Sequence, residues 1–421
     1  MKTKSNLQPI LGWILFVLLL VVSKSIDTGL RMILGLMLGY TLMRAYTGFA
    51  GSVNRAYRGG STKLMRAMAL MFFVTSLIVA SMAMNVEPGY YDFWINPINL
   101  GLLVGGILFG FGMSLSSCCA SGVMTDLVTG LPRAAMTLLF FALGVFVGFP
   151  LQHSQSWIQD TWFHSASYET GVYMPDWFAG GAFGGYLGAI ILTGIFCLLI
   201  CAFALMYEKK KRESGEYTGI DTEILQEEKE DFNWSTAKIF SRETYDHVFA
   251  KPWTLTQGAI ALSIIFGIML SLTKSCWGAS TPYGFWFGKI LMMFGVSADS
   301  IATFVKGSSD PYVLPFMQHG VSVQDMSIAL GALVYLLMAD VFSVQFKEGL
   351  KIQKRDLFIF ALGGFTMGIG NRFANGCNVG ALYSPIATFS LSGWIYIIFL
   401  FAGGFLGNSF AKKWNSKCNN K

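Results

Sequence analysis

Long apolar segments alternate with short polar segments along most of this chain. The apolar segments comprise residues 9–22, 30–46, 64–84, 100–115, 134–149, 180–207, 255–272, 326–346, 357–370 and 393–411. Several approach the roughly 20 residues that a helix needs to cross a bilayer, whereas others are shorter and interrupted by glycine. The pattern predicts an all-α integral membrane protein with about ten crossings, together with short broken or re-entrant helices.

The composition supports a membrane protein. Of the 421 residues, 53% are hydrophobic and 13% are charged, whereas about a quarter of the residues in a soluble globular chain are charged. Most of the seven cysteines lie in or beside apolar segments, so they do not indicate a disulfide framework. The net charge of +6 is modest and the basic residues cluster at helix ends, which argues against nucleic-acid binding.

Neither a metal centre nor a nucleotide site is indicated. The four histidines fall in predicted loops without cysteine partners at a ligand spacing, and they are His153, His164, His247 and His319. No glycine-rich run ends in Gly-Lys-Ser or Gly-Lys-Thr, which argues against an ATP-driven pump. We therefore predict a protein without a cofactor or a bound metal.

The distribution of basic residues predicts the orientation in the membrane, because clusters of Lys and Arg face the cytoplasm. These clusters are residues 55–66, 209–212, 347–355 and 412–421. Residues 85–96 and 151–178 contain no Lys or Arg and are rich in Trp and Tyr, as expected of external loops, and residues 297–325 belong with them. The prediction is a multi-pass protein of the bacterial plasma (inner) membrane with both termini in the cytoplasm.

A frame of glycines around a cysteine occurs twice in the chain. The first copy consists of Gly110, Gly112, Cys119 and Gly122, and the second consists of Gly368, Gly370, Cys377 and Gly380. The predicted orientation makes the helix before Cys119 run inward and the helix before Cys377 run outward. Matching frames on oppositely directed helices predict an inverted-topology repeat, which is typical of transporters with a substrate site between the two halves.

The chain accordingly divides into five parts. They are an N-terminal helix (1–28), a first repeat half with the Cys119 motif (29–150), an external loop and connecting helix (151–207), a cytoplasmic charged linker (208–251) and a second repeat half with the Cys377 motif (252–421). We expect the linker to be solvated, with a short surface helix over residues 223–231. A docking site for a partner protein is the alternative for this segment.

Both repeated cysteines lie in polar islands within apolar surroundings. Non-helical backbone at membrane depth is tolerated only beside protein or a water-filled cavity, so each island predicts a helix break at an internal cavity. A half-helix that begins there points its N–H groups and positive dipole end at the cavity, which suits an anion. Two facing thiols are soft and only weakly hydrogen-bonding, so they can hold a sulfur-bearing anion without preventing its release.

The islands and their frames supply the candidate substrate-binding residues. These are Cys118, Cys119, Cys276, Cys377, Gly112, Gly122, Gly370, Gly380, Arg372, Asn375 and Asn378. Arg372 is costly inside a membrane unless it pairs with another group or meets an anion. Cys118 either faces the path or packs in the core. Cys197 and Cys201 lack glycine and polar neighbours and are predicted to be packing residues, and Cys418 lies in the basic tail.

These residues resemble those of the YeeE/YedE family of bacterial inner-membrane proteins, which are associated with thiosulfate uptake and, in some members, selenium metabolism. The resemblance rests on residues 110–122 and 368–385 and is supported by residues 44–58 and 391–407. It implies a glycine-rich, all-helical transporter with inverted repeats, whose central cysteines pass a sulfur compound along a pore.

The resemblance assigns the main thiols to Cys119 and Cys377. Two positions depart from the family pattern. Cys118 stands where a glycine usually precedes the first-half cysteine, and Gly48 stands where some members have a further cysteine. A site with two adjacent thiols in the first half also suits another sulfur or selenium species.

The residues and the resemblance together predict a transporter, not an enzyme, that moves thiosulfate or a related sulfur-containing anion inward along Cys119, Cys377 and Cys276. A selenium compound or another reduced sulfur species is the alternative substrate. A membrane sulfurtransferase or thiol redox protein that uses Cys118 and Cys119 covalently is the alternative from another class. The expected partners are the anion, the lipid bilayer and a cytoplasmic sulfur-carrier or sulfurtransferase protein.

Overall fold

The structure is a computed structural model that describes residues 7–87, 89–228, 232, 237–238 and 240–419. The described part contains twenty α-helices and no β-strand. The α-helices are α1 (Leu7–Lys24), α2 (Gly29–Arg44), α3 (Phe49–Gly59), α4 (Lys63–Ala83), α5 (Leu100–Ser116), α6 (Gly122–Asp126), α7 (Leu131–Gln152), α8 (Ser156–Gln159), α9 (Tyr186–Glu213), α10 (Asp221–Glu227), α11 (Arg242–Tyr245), α12 (Leu255–Thr273), α13 (Thr281–Met293), α14 (Ala298–Val305), α15 (Asp310–Val313), α16 (Gly320–Met338), α17 (Phe342–Gly349), α18 (Asp356–Phe373), α19 (Ser384–Ala387) and α20 (Leu391–Asn419). The remaining helical segments are 3₁₀ (Met174–Phe178, Ala182–Gly185 and Phe316–Gln318) or π-helical (Asp246–Ala250 and Asn378–Tyr383).

Eight helices of the described part are long and apolar enough to cross a membrane. They are α1, α4, α7, α9, α12, α16, α18 and α20. α5 is also apolar but has 17 residues, and α2 has 16 residues and packs along α16. With these two shorter helices the candidate crossings number about ten, as the sequence predicts. The predicted all-α membrane fold is confirmed.

Local capping residues explain where several helices begin and end. Asn99 accepts a hydrogen bond from the backbone N–H of Leu102 at the start of α5. Thr254 and Gln257 form a capping box at the start of α12. Gly60 ends α3 with a φ of 76°, a left-handed conformation that glycine adopts without steric cost. The start of α5, the end of α3 and the start of α12 are therefore determined by their local sequence.

Both polar islands lie at helix breaks. α5 ends at Ser116, and the chain passes through Ser117 in the left-handed conformation (φ 59°) before α6 begins. α18 ends at Phe373, and Asn375 (φ 54°) precedes the π-helical segment that leads into α19. Each glycine and cysteine frame thus spans a long helix, a turn and a short second helix.

One apolar segment is divided differently from the prediction. The sequence predicts a single segment over residues 326–346, whereas the structure has α16 and α17 as separate helices. His319 caps α16 by accepting a hydrogen bond from the backbone N–H of Ser322, and Asp340 (φ 59°) separates the two helices. The assignment of residues 320–325 to an external loop is wrong, because these residues form the first turns of α16.

α5 and α18, the helices that carry the two frames, cross in close contact. A Cβ atom at Gly112 would lie 2.4 Å from the carbonyl oxygen of Gly363, and one at Gly370 would lie 2.7 Å from that of Gly105. Only glycine permits so close an approach of two backbones. The end of α5 meets the start of α18, and the start of α5 meets the end of α18. The two helices are therefore antiparallel.

The other long helices of the core pack in matching pairs. α7 packs on α18 and α20 packs on α5, while α2 packs on α16 and α12 packs on α4. These contacts form two equivalent sets. If α5 is exchanged with α18 and α7 with α20, the contact of α7 with α18 becomes the contact of α20 with α5. If α2 is exchanged with α12 and α4 with α16, the contact of α2 with α16 becomes the contact of α12 with α4. The short helices follow the same rule, because α6 packs on α16 and α19 packs on α4.

The bundle has two ends with different side chains. Arg58, Asp356 and further polar residues line a cavity at one end, which we call the basic end. Trp94 and Asn375 line a cavity at the other end, which we call the aromatic end. α18 starts at the basic end and finishes just before Asn375, so its length separates the two ends by about 27 Å.

α10 is anchored to the rest of the protein by buried polar contacts. Glu223 is 3% exposed, pairs with Arg55 at 3.1 Å and accepts a hydrogen bond from the Ser61 hydroxyl group. Gln226 donates a hydrogen bond to the carbonyl oxygen of Trp253 at 2.6 Å. These contacts hold α10 against α3 and against the residues that lead into α12.

The charged segment over residues 208–251 therefore differs from the prediction of a solvated linker. That prediction is wrong for α10, whose acidic side chain at position 223 is buried in an ion pair. The predicted surface helix over residues 223–231 corresponds to α10, and residues 229–231 lie outside the described part of the chain.

Candidate functional site

Cys118 and Cys119 lie in the break between α5 and α6, and their side chains are almost completely buried. The Ser116 hydroxyl group donates a hydrogen bond to the Cys118 carbonyl oxygen at 3.3 Å. Cys119 Sγ lies 3.5 Å from the hydroxyl oxygen of Ser121. A Cβ atom at Gly122 would lie 3.4 Å from Cys119 Sγ, so the first residue of α6 packs against this thiol.

Cys377 occupies the corresponding break after α18 and is also buried. The backbone N–H groups of Val379 and Gly380 and the hydroxyl group of Ser280 lie close to its sulfur atom. The Ser280 hydroxyl donates a hydrogen bond to Asn371 Oδ1 at 2.8 Å. The sulfur of Cys377 therefore faces backbone donors at the start of a helical segment, an arrangement that favours negative charge.

Two tyrosines bring the cysteines of both breaks into one site. Tyr283 of α13 is completely buried and lies within electrostatic reach of Cys118, Cys119 and Cys377. Tyr396 of α20 is also completely buried and lies within reach of Cys119 and Cys377. We call these five residues the thiol site. It combines side chains from the first and the second predicted half of the chain.

Several buried polar groups around the thiol site have no hydrogen-bond partner within the described part. They are the Tyr396 hydroxyl group, Asn378 Oδ1 and Asn371 Nδ2. Asn378 uses its other side-chain atom to donate to Met113 Sδ at 3.4 Å. An unpaired buried polar group costs about 1–3 kcal/mol, so such groups are rare in folded proteins. These three groups are free to bond to a polar ligand at the thiol site.

A cavity of about 200 Å³ at the aromatic end leads towards the thiol site. Its wall includes Cys276, Ser280 and Gly380. Cys276 is buried and its Sγ lies 3.4 Å from the Asp92 carbonyl oxygen, to which the thiol donates. Ser280 and Gly380 also contact the sulfur of Cys377. The cavity therefore reaches this side of the thiol site through residues that belong to both.

A larger cavity of about 530 Å³ lies at the basic end. Arg58 in its wall donates hydrogen bonds to the Ser114 carbonyl oxygen, the Ser117 hydroxyl group and Asn408 Oδ1 at 2.9, 3.2 and 2.8 Å. Lys412 lines the same cavity. Two positive charges thus lie beside the break between α5 and α6, and Arg58 fixes the end of α5.

Arg372 and Asn375 lie between the thiol site and the aromatic end. The Arg372 guanidinium group donates to Gln152 Oε1 at 3.3 Å and to the Thr281 hydroxyl group at 3.2 Å. Its charge lies within electrostatic reach of Cys377, and no acidic partner approaches it in the described part of the chain. Asn375 Oδ1 accepts a hydrogen bond from Gln152 Nε2 at 2.6 Å. Arg372 therefore holds a buried positive charge that only neutral groups surround.

The four candidate glycines fall into two groups. Gly122 and Gly380 lie at the thiols, and a Cβ atom at Gly380 would lie 3.0 Å from the Trp94 ring. Gly112 and Gly370 lie instead in the crossing of α5 and α18, where they face backbone and side-chain atoms of the other helix and no thiol. The structure therefore brings the first pair into the site and places the second pair in the scaffold that supports it.

The remaining cysteines lie apart from the thiol site. Cys197 and Cys201 are on α9, which packs against α4, and Cys197 is part of the hydrophobic core. The side chain of Cys418 lies outside the described part. The described residues contain no group of three His, Cys, Asp or Glu side chains that could hold a metal ion.

Sequence reasoning missed three residues of the site, namely Ser280, Tyr283 and Tyr396. Tyr283 is on α13, a helix of 13 residues for which the sequence predicted no apolar segment. Tyr396 lies within a long apolar segment, where nothing in the pattern distinguishes it from its neighbours. Ser280 lies four residues after the candidate Cys276, and this closeness in the sequence is the signal by which Ser280 could have been found.

The fold and the site define a helical, multi-pass membrane protein with buried thiols at the breaks of two crossing helices. A family model described as sulphur transport matches residues 44–406, and the chain belongs to this family. The resemblance to the YeeE/YedE proteins is thereby confirmed.

Two relatives with assigned names resemble the chain at low identity. The thiosulfate transporter TsuA of Spirochaeta thermophila is 25% identical over 342 residues, which cover 80% of this chain and 83% of that protein. The probable transporter YedE of Escherichia coli is 24% identical over 160 residues, which cover 38% of each chain. Both relatives bear the names of transporters.

Proposed function

We propose that the protein carries thiosulfate, or a closely related sulfur-containing anion, across the membrane through the thiol site. One observation carries the proposal: Cys119 and Cys377 are buried at two separate helix breaks, yet Tyr283 and Tyr396 lie within reach of both. Membership of the sulphur transport family and the similarity to the thiosulfate transporter TsuA support this substrate.

The chemistry of the thiol site suits a sulfur-bearing dianion that must bind and leave again. Thiols are weak, polarizable donors, so they contact the terminal sulfur of thiosulfate without holding it strongly. The unpaired hydroxyl group of Tyr396 and the N–H groups near Cys377 supply stronger donors for its oxygens. Arg372 attracts the anion from one side, because its charge has no acidic partner there.

The two cavities define the proposed route. The anion enters the aromatic-end cavity past Cys276, passes Ser280 and reaches Cys377. It then moves to Cys119 and leaves through the basic-end cavity, where Arg58 lies. Because the thiols are buried on both sides, passage requires local rearrangement of the short segments after α5 and α18.

We propose that the thiol site lies between two inverted halves, residues 29–150 and 252–421. The reciprocal glycine contacts of α5 with α18 support this division, as do the matching packing pairs of the surrounding helices. In transporters with inverted repeats the substrate site lies between the halves, and movement of one against the other exposes it alternately to each side.

We further propose that the basic end faces the cytoplasm of a bacterial plasma membrane, with both termini on that side. The basic side chains at this end support this orientation. Moving a dianion inward against 100 mV, inside negative, costs about 4.6 kcal/mol, so uptake needs a coupled ion or rapid consumption. A cytoplasmic sulfur-carrier or sulfurtransferase protein at the basic end would provide such consumption.

Uptake of radiolabelled thiosulfate by proteoliposomes tests the proposal. We expect Cys119→Ala and Cys377→Ala to abolish uptake, whereas Cys197→Ala, a matched change at a buried cysteine of α9, should retain it. Full uptake by both site variants would refute the thiol path. Competition by unlabelled selenosulfate and sulfate measures the selectivity. A mass increase of one sulfur atom on Cys119 during turnover would instead favour covalent transfer.

A further inference from the structure

Asp325 is a fully buried acidic residue of α16, and both of its carboxyl oxygens lack a hydrogen-bond partner in the described part of the chain. Its neighbour Gln324 is well bonded: Gln324 Oε1 accepts from Arg31 at 3.0 Å, and Gln324 Nε2 donates to the Gly278 carbonyl oxygen at 3.4 Å. Arg31 is thus hydrogen-bonded to the side-chain amide of Gln324 rather than to Asp325 itself.

Two ionisable side chains face Asp325 from neighbouring helices. Arg31 of α2 lies within electrostatic reach of the carboxyl group and also lines the aromatic-end cavity. Tyr283 of α13 also lies within electrostatic reach of the carboxyl group and belongs to the thiol site. Asp325 is therefore within electrostatic reach of one residue that lines the external cavity of the proposed route and of one residue that belongs to the thiol site.

The other ionisable groups on elements packed against α16 are engaged elsewhere or exposed. They are Tyr40 and Arg44 (hydrogen-bonded to each other, with Arg44 also bonded to two carbonyl oxygens), Asp126 (paired with Arg133), Lys289 (bonded to two carbonyl oxygens), Asp246 (paired with Arg242), His247 (stacked on Phe232), and the exposed Lys24, Lys347 and Glu348. None of them supplies the missing partner of Asp325.

His319, which caps α16 and lines the aromatic-end cavity, is the remaining titratable group near this path. Burial and the charge of Lys289 lower the pKa of His319 from its ordinary value of 6.5. The imidazole is therefore protonated to a smaller extent near neutral pH than an exposed histidine would be. A histidine with a lowered pKa contributes less to a change in transport between about pH 6.5 and pH 8 than an exposed histidine does.

We propose that Asp325 binds the proton that is transported together with each anion. An ionised carboxylate without a donor is expensive inside a membrane, whereas its protonated form is neutral, and intramembrane carboxyl groups of this kind serve as proton relays in transporters. This proposal rests on the proposed transport of thiosulfate. It adds an ion-binding site that the thiols do not provide.

Proton binding is coupled to anion binding by the repulsion between two negative charges in a medium of low dielectric constant. With Asp325 ionised, its charge opposes the binding of a dianion beside Tyr283, and protonation removes this repulsion. The O–H bond forms with a proton from a hydronium ion in the aromatic-end cavity, which becomes water, and breaks when the proton passes to water at the basic end. No electrons are transferred, and each cycle moves one proton with the anion.

Proteoliposomes that contain a pH-sensitive dye test this proposal. With the wild-type protein, external thiosulfate should drive protons inward, and an acidic exterior should accelerate uptake. In Asp325→Asn both effects should disappear, while exchange of labelled for unlabelled thiosulfate, which needs no net proton movement, should continue. His319→Gln should keep the pH dependence, and Asp299→Asn, at an exposed acid, should behave as the wild type.

Three results would overturn the proposal. They are thiosulfate uptake by the wild type without proton movement, uptake that follows a sodium gradient alone, and proton influx that persists in Asp325→Asn. Failure of the wild type to move thiosulfate at all would refute the proposed function instead. If Asp325→Asn does not fold, Asp325→Glu tests the proposal instead. This variant keeps a carboxyl group, so it should retain proton influx with a shifted pH midpoint of uptake. An unchanged midpoint in that variant would count against Asp325.

Discussion

The hydroxyl group of Tyr283 donates a hydrogen bond to the backbone carbonyl oxygen of Ala120 at 2.8 Å. This bond joins α13, in the second predicted half, to the loop that carries Cys118 and Cys119 in the first. Because both partners are buried, neither can replace the bond with water. The position of the first-half thiols is thus fixed by a residue from the other half.

Tyr283→Phe should displace the loop around Cys119. Loss of the bond leaves the Ala120 carbonyl oxygen unpaired and costs about 1–3 kcal/mol. We expect a lower unfolding temperature in detergent and thiosulfate uptake reduced by about fivefold or more. Tyr335→Phe is the control, because its hydroxyl group also donates to a backbone carbonyl oxygen, that of the partly buried Ala250, and Tyr335 does not belong to the thiol site. Equal loss of uptake in both variants would contradict a positioning role for Tyr283.

The crossing of α5 and α18 should tolerate no side chain. Gly363→Ala would place a Cβ atom 2.8 Å from the carbonyl oxygen of Gly112, and Gly370→Ala would place one 2.7 Å from that of Gly105. Overpacking of this kind costs about 1–3 kcal/mol, so both variants should unfold at lower temperature. Gly307→Ala, whose Cβ would lie at an ordinary distance from its neighbours, should not. Unchanged stability of both crossing variants would mean that the helices are farther apart.

The ion pair of Arg55 and Glu223 should contribute more to stability than an exposed pair on the same helix. Glu223→Gln leaves Arg55 without its acidic partner, and breaking a buried pair costs about 3–5 kcal/mol. Glu227→Gln removes the exposed pair with Lys63, for which about 0–1 kcal/mol is typical. Limited proteolysis of α10 and thermal unfolding should separate the two variants. Similar behaviour would indicate that α10 is only loosely attached.

The sequence predicted those parts of the site that depend on unusual residue types at fixed spacing. The frames around Cys119 and Cys377 were recognisable because glycine, cysteine and polar residues break an apolar helix in a characteristic way. Tyr396 was not recognisable from the sequence, because its role depends on which face of α20 meets the thiols. Asp325 was assigned to a loop because the apolar pattern starts six residues after α16 begins, and only the packing of α16 buries it.

Tyr396→Phe tests whether the Tyr396 hydroxyl group binds the anion or stabilises the fold. Removal of a hydroxyl group that stabilises the fold lowers the unfolding temperature, whereas removal of one that only binds the anion does not. The Tyr396 hydroxyl group is buried without a partner in the described part, so its removal should leave the unfolding temperature unchanged or raise it. A hydrogen bond to a charged group contributes about 1.5–3 kcal/mol. Because Tyr396→Phe lacks this bond to the anion, its KM for thiosulfate should be higher by about tenfold to a hundredfold.

The reference variant for this comparison is Tyr383→Phe. The Tyr383 hydroxyl group is equally buried but lies 2.9 Å from that of Thr75, to which it is hydrogen-bonded. Its removal should lower the unfolding temperature, in contrast to Tyr396→Phe. Saturating thiosulfate should also stabilise the wild-type protein against heat more than it stabilises Tyr396→Phe. A fall in stability without a change in KM would mean that Tyr396 has a packing role and that the anion binds elsewhere.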